Sequence, residues 1–141
     1  QASLGEAGIT VEIQPTEEAA YWALGDKTKG DAYKSLELVL MSYAGGIDPT
    51  ENLVWFRPDQ IGSYNWSFFD SKEFEEAYQQ LIAEPDEAKR IALSNRMEEL
   101  MEDSGTFIFL CHEPLTAVHK SNLKPVILPD GHPNPVAFGK A

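Results

Sequence analysis

Two kinds of hydrophobic pattern occur along the chain, one typical of strands and one typical of helices. Residues 9–13 (ITVEI) alternate apolar and polar side chains, which predicts a strand. Residues 36–43 (LELVLMSY) are almost continuously apolar, which predicts a strand buried on both faces of a parallel sheet. Between them, residues 16–24 are predicted as a helix that begins at Thr16 and stops at Gly25. Together these elements predict a β-α-β unit.

Helical spacing dominates the middle of the chain. Asp48 is followed by a proline and then by a glutamate, a pattern that predicts the cap of a short helix over 48–56. Apolar residues three and four apart predict an amphipathic helix over 71–83, with Asp70 as its cap. A second helix is predicted to open at a proline and to span 85–105.

The last third of the chain returns to extended patterns. Two strands are predicted over 107–111 and 115–119, and the proline-rich residues 121–141 are predicted to form an extended tail. Because predicted strands and helices alternate along the chain, the fold class expected is α/β, with a mixed sheet flanked by helices.

Charge and composition exclude several classes of function. The chain has 141 residues, with 11 basic and 23 acidic side chains and a net charge of −12. This length suits one domain with a real core. The negative charge opposes binding to nucleic acid and to anionic membranes. A single cysteine excludes an internal disulfide and a multi-cysteine zinc site.

Candidate catalytic groups lack the partners that their chemistry needs. His112-Glu113 does not continue as H-E-x-x-H, since the next histidine is His119. Ser42 is not part of a G-x-S-x-G turn. Cys111 ends an apolar run (FIFLC), which predicts a buried, inert thiol. We therefore expect no enzyme activity, no metal site and no cofactor.

A glycine pair gives the best candidate for ligand binding. Gly45 and Gly46 follow the predicted strand 36–43, and ligands of open α/β sheets sit outside the carboxyl ends of parallel strands. Glycines allow a ligand to approach the backbone closely. Nearby aromatic residues could stack on a ligand or could merely cover the sheet, and the sequence leaves both interpretations open. These aromatic residues are Trp55, Tyr64, Trp66, Phe68 and Phe69.

The order of these features resembles the C-terminal lobe of the peptide-type (family 5) substrate-binding proteins of ABC importers. The resemblance rests on GITVEI at 8–13, AGGIDP at 44–49, the Asn-aromatic loop and helix at 63–86, and the run 87–114. It covers nearly the whole chain, and it depends on the ordered set rather than on any single motif.

The resemblance implies one lobe of a two-lobe, periplasmic-binding-protein-like (type II) fold. Residues 1–120 would be part of the C-terminal lobe, and 121–141 a tail that returns to the first lobe. The function implied is capture of an extracytoplasmic solute, in the periplasm or as a cell-surface lipoprotein, and delivery to a membrane permease, without catalysis. The residues expected to line the cleft are Ser42, Tyr43, Gly45, Gly46, Asn65 and Trp66.

One departure from the family pattern bears on the ligand. Peptide-binding members resemble W-x-A-D-Y-x-D-P at this turn, and the first Asp pairs with the amino end of the ligand. Here Ser42 stands at the Trp position and Gly45 at the Asp position. A buried ammonium without an anion is costly. The resemblance implies an oligopeptide as the solute, but the missing anion argues against ordinary peptides and favours an oligosaccharide or another non-peptide solute. Trp66 would then stack on a sugar face, and Asn65 would bind hydroxyls.

Two other classes of function remain open from the sequence. The acidic surface and the aromatic residues at 64–69 would also suit a stand-alone interaction domain with a basic protein partner. A hydrolase that uses Cys111 or His112 is the third hypothesis. For one lobe in isolation, bare apolar surface also predicts self-association.

Overall fold

Five α-helices and one small sheet form the regular structure of the described residues. The computed structural model describes residues 1–43, 45–111, 116–128 and 131–140. The helices are α1 (Ala2–Glu6), α2 (Glu18–Leu24), α3 (Pro49–Leu53), α4 (Lys72–Ala83) and α5 (Glu87–Asp103). Strand β1 (Leu123–Lys124) pairs antiparallel with β2 (Gly139–Lys140), and Leu123 lies opposite Lys140. The chain thus combines helices with a small sheet, and helices predominate.

The prediction of a mixed sheet is wrong, since the described sheet has two strands and they are antiparallel. Segments 9–13, 36–43 and 107–111 lie outside both strands of the described sheet, so no β-α-β unit forms around α2. Leu38 and Leu40, predicted to be buried on both faces, are 67% and 78% exposed. An apolar run shows that a segment tends to be buried, but a strand also needs a neighbour to pair with.

The segment after α5 also departs from prediction. Cys111 is exposed rather than buried, and the described sheet of β1 and β2 does not include its apolar run. Residues 116–119 form no strand with the described part of the chain. The rest of this predicted region, 112–115, lies outside the described residues and includes His112.

The predicted helices in the middle of the chain are confirmed, with corrections to their first residues. α4 matches the prediction for 71–83, but Ser71 caps it instead of Asp70, since the Ser71 hydroxyl accepts from the N–H of Phe74 at 3.2 Å. Asp86, rather than Pro85, precedes the first turn of α5.

The helix predicted over 16–24 is present and begins later than expected. α2 starts at Glu18, and Thr16 does not cap it. The Thr16 hydroxyl instead donates to the carbonyl oxygen of Gln14 at 3.3 Å. At its other end the helix stops at Gly25, as predicted.

The core lies between α4 and α5 and is closed by α3 and the loop before α4. Phe74 and Leu81 of α4 and Met97 of α5 have no exposed surface. The other buried members of this core are Leu53, Phe69, Ala77, Tyr78 and Met101. Phe56 and Phe107 both pack against this core. Their two rings meet each other edge to face, with centroids 5.2 Å apart. Because Leu53 belongs to α3, its burial in the core fixes the position of that helix.

An ion pair ties the start of α3 to the start of α5. The Arg90 guanidinium donates to both carboxylate oxygens of Asp48, at 2.7 and 2.6 Å. Its other terminal nitrogen donates to the carbonyl oxygens of Leu81 and Glu84, at 2.6 and 3.3 Å. Asp48 also accepts from the N–H and the hydroxyl of Thr50. The predicted cap is confirmed.

Replacing Asp48 with Ala should lower the free energy of unfolding at pH 7 by about 1 kcal/mol, the usual value of such a cap. The carboxylate is 45% exposed, so water screens its pairing with Arg90. Hydrogen bonds from Thr50, and then Arg90, lower the Asp48 pKa below its ordinary 3.8. A lowered pKa stabilises the fold above the unfolded-state pKa, and this contribution disappears as the pH falls through the folded-state value.

Urea unfolding at several pH values measures this effect. The difference between wild type and D48A should be complete at neutral pH and should shrink below about pH 4. D70A is the matched control, because the structure gives exposed Asp70 no capping bond to α4. Equal stability of D48A and wild type at pH 7 would contradict the assignment of the cap.

Candidate functional site

The glycine turn, residues 45–48, is held against the start of α3. The Gly46 N–H donates to the side-chain oxygen of Asn52 at 2.7 Å. A Cβ built at Gly45 would lie 3.1 Å from the same oxygen. A Cβ built at Gly46 would lie 2.6 Å from the Glu51 Cβ and would overlap the Glu51 carboxylate. Glycine is therefore needed at Gly46, and α3 sets the shape of the turn.

Several aromatic residues contact Tyr43, which lies two residues before the glycine turn in the chain. The Tyr43 hydroxyl donates to the carbonyl oxygen of Tyr64 at 2.9 Å. The ring of Tyr64 packs on Trp55, with centroids 4.6 Å apart and planes at 59°. Tyr43 itself meets Phe56 edge to face at 5.0 Å, which connects it to the core. We call Tyr43, Trp55 and Tyr64 the aromatic platform, and Tyr64 is its most exposed member.

Tyr43 acts as a neutral hydrogen-bonding group. Burial raises the pKa of its hydroxyl to about 12, and nearby Tyr21 adds to the shift. The neutral form of Tyr43 is therefore dominant over the physiological pH range. Ser42 is exposed directly before it in the chain.

Asn65 is fully buried, and its side chain organises the loop that carries Tyr64. The amide nitrogen donates to the carbonyl oxygens of Phe69, Phe56 and Arg57, at 2.8, 3.1 and 3.2 Å. The amide oxygen accepts from the N–H of Phe69 and from the hydroxyl of Ser67. Asn65 thus fixes the backbone that supports the aromatic platform, and direct contact of Asn65 with a ligand stays a prediction.

Trp66 packs against α2. Its indole N–H donates to the carbonyl oxygen of Ser63 at 2.6 Å, and only 6% of the residue is exposed. Its ring lies 5.1 Å from Tyr21 and 5.7 Å from Trp22. The structure therefore places Ser42 and Gly45 at exposed positions, Tyr43 and Gly46 at partly buried positions, and Trp66 in the interior. Stacking of Trp66 on a ligand stays a prediction.

The sequence did not single out half-buried Trp55 and exposed Tyr64 as a packed pair. Trp55 and Tyr64 were two of several aromatic candidates, and no local pattern distinguished them from the buried ones. Glu51 was recognised only by its spacing from the cap, although its carboxylate lies beside Gly46. The signal available for Glu51 was its position in the first turn of a helix that follows two glycines.

Searches of the described residues for two other kinds of feature gave negative results. No group of three or more His, Cys, Asp or Glu side chains could hold a metal ion there. None of the helices in the described ranges is both long and apolar enough to cross a membrane.

Comparison with known proteins gave no relative for this chain. No protein-family model, no curated protein and no solved structure matches it.

Proposed function

We propose that the glycine turn and the aromatic platform bind an extracytoplasmic solute, and that the chain belongs to the substrate-binding component of an ABC importer. The observation that carries this proposal is the packed pair Trp55 and Tyr64, which is connected to the glycine turn through Tyr43, two residues before Gly45, by the hydrogen bond from the Tyr43 hydroxyl to the Tyr64 carbonyl oxygen. Ligand sites combine apolar faces with a few fixed polar groups. Here the polar groups are the backbone of the turn, the Glu51 carboxylate and the Tyr43 hydroxyl.

The same proposal assigns the chain to one lobe of a two-lobe protein. Residues 1–120 would form that lobe, and 121–141 would be a tail directed toward the other lobe. Both strands of the described sheet come from the tail and pair with each other. The buried core, in contrast, lies between Leu53 and Met101. This division supports treating the tail as a separate unit. Solute would be delivered to a membrane permease after the lobes close around it.

Two classes of solute fit the charges at the turn. Glu51 supplies the anion that a peptide ammonium needs, although Gly45 occupies the position of the aspartate found in peptide-binding proteins. Glu51 lies in α3, and Trp55 lies in the 3-10 turn Val54–Phe56 that follows it directly. An ammonium can also bind over an aromatic face. The platform would equally stack on the apolar face of an oligosaccharide.

Calorimetric titration of the chain with trialanine and with maltotriose tests the proposal. If peptide is the solute, E51Q should weaken trialanine binding by about tenfold, which corresponds to about 1.4 kcal/mol. E98Q is the matched control, since Glu98 is an exposed residue on α5. If an oligosaccharide is the solute, E51Q should bind maltotriose like the wild type, whereas replacement of Trp55 with Leu should abolish binding.

Two outcomes would contradict the proposed site. Binding of either probe that is unchanged in W55L would place the solute elsewhere on the chain. Failure of both probes, and of other peptides and glycans of similar length, would remove the support for solute binding.

A further inference from the structure

One apolar segment is anchored in the core at its first residue and exposed over the next three. Residues 107–110 (FIFL), which we call the FIFL segment, contain no charged side chain. Ile108 and Leu110 are 74% and 69% exposed, and Phe109 is also exposed. Soluble proteins seldom leave contiguous apolar residues in water, so such a patch marks an interaction surface.

The backbone of the FIFL segment is also unpaired. Within the described residues, it takes part in neither strand of the sheet and in no backbone–backbone hydrogen bond. Unpaired N–H and C=O groups beside apolar side chains are the features of an open strand edge. A small solute or a lipid surface would cover the side chains but would leave this row of peptide groups without partners. An extended polypeptide would cover the side chains and would also provide hydrogen-bond partners for the peptide groups.

The core holds the segment at one end. Phe107 packs edge to face on Phe56 and on Phe69, with centroids 5.2 and 5.6 Å away. Phe109 stacks nearly parallel to Phe107, at 6.1 Å and 10°. Phe107 and Phe109, which are two residues apart, thus lie on the same side of the segment, as alternate residues of a strand do. Because the core already holds Phe107, the segment loses less conformational entropy when it pairs.

The chemistry of the segment favours a second copy of this chain as the partner. The net charge of −12 would attract a basic protein, but the FIFL segment carries none of that charge. Two copies of the segment place apolar side chains opposite apolar side chains and bring no like charges together. An antiparallel pair of identical segments is also self-complementary, as a two-fold interface requires.

We propose that the chain self-associates by strand pairing of the FIFL segment with the same segment of a second copy. The segment combines high β-propensity with no charge and no proline, the composition that favours such pairing. The rest of the surface is strongly acidic, so repulsion between copies opposes the contact. Added salt screens this repulsion and should strengthen association, whereas it would weaken binding to a basic partner.

Light scattering of the chain over a range of concentrations tests the proposal. Reductant is kept in all samples because Cys111 is exposed and could form an intermolecular disulfide. Wild type should rise above the monomer mass of 15.7 kDa with concentration, and more so at high salt. I108K and L110K should remain at 15.7 kDa under the same conditions. V136K, at a residue that is 97% exposed in the tail, introduces the same charge and should behave as wild type.

Hydrogen exchange identifies the type of contact. The amides of the FIFL segment should become protected as concentration rises in wild type and should stay unprotected in I108K. A chain that is monomeric at every concentration and salt would overturn the proposal. Association that persists in I108K and L110K, or that protects residues 36–41 instead, would overturn it as well.

Discussion

Replacing Asn65 with Ala is expected to lower the free energy of unfolding by about 3 kcal/mol, because one side chain serves several buried backbone groups. Its amide nitrogen is the partner of three carbonyl oxygens, those of Phe56, Arg57 and Phe69. Removal of the side chain leaves the carbonyl oxygens of Phe56 and Phe69 without that partner, whereas the Arg57 carbonyl oxygen still accepts from the N–H of Gln60. A buried group without a partner costs about 1–3 kcal/mol, and the cost is greatest at Phe69, which is buried with Asn65.

Urea denaturation followed by circular dichroism measures the loss in N65A. N95A is the matched control, since Asn95 is exposed on α5 and its replacement should leave stability nearly unchanged. N65A should also weaken any solute binding, because the loop that carries Tyr64 loses its internal bonds. A variant N65A as stable as N95A would show that the loop does not depend on this side chain.

Replacing Gly25 with Ala is expected to destabilise the fold by about 2 kcal/mol through overpacking. A Cβ at this position would overlap the indole ring of Trp66. That ring is buried between α2 and its own loop, and its N–H is bonded to Ser63, so it has little freedom to move away. The backbone of Gly25 has φ −85°, which an alanine adopts without strain, so contact with Trp66 is the whole cause.

Tryptophan fluorescence during urea unfolding reports on this change directly. G25A should unfold at lower urea, and its folded state should emit at longer wavelength as Trp66 is pushed toward water. G5A is the control, because a Cβ at Gly5 meets no atom within 4 Å and Ala suits a helix. If the urea midpoint of G25A equalled that of G5A, Trp66 would be displaced without loss of stability, and the prediction would be contradicted.

The helices could be predicted because their signals are local. Asp48 and the residues after it specify the cap of α3 within four positions, and the spacing of Phe74, Ala77 and Leu81 specifies the buried face of α4. Errors at helix starts came from competing side chains. Ser71, one residue after Asp70, provides the hydroxyl that α4 uses.

The strands could not be predicted, because a strand depends on neighbours that are distant in sequence. The apolar run at 36–43 has the composition of a buried strand, yet Leu38 and Leu40 lie in water in the described structure. For the same reason the exposure of Cys111 could not be deduced from the residues beside it.

The candidate site was predicted only in part. The glycine pair could be identified because its position between an apolar run and a capped helix is a local pattern. The roles of Asn65, Trp66 and Trp55 depend on long-range packing. Asn65 bonds to backbone groups four to nine residues away, at both ends of its own loop, which no short motif specifies, and Trp66 packs on distant α2.

The most direct test of solute binding is an NMR titration of the ¹⁵N-labelled chain with trialanine and with maltotriose. We expect one probe to shift the amide signals of Gly45 and Gly46, together with the indole signal of Trp55, and E51Q or W55L to remove these shifts. The Gly46 amide is a sensitive reporter because it is bonded to Asn52. Shifts confined to other parts of the chain, or no shift with either probe, would contradict binding at the glycine turn.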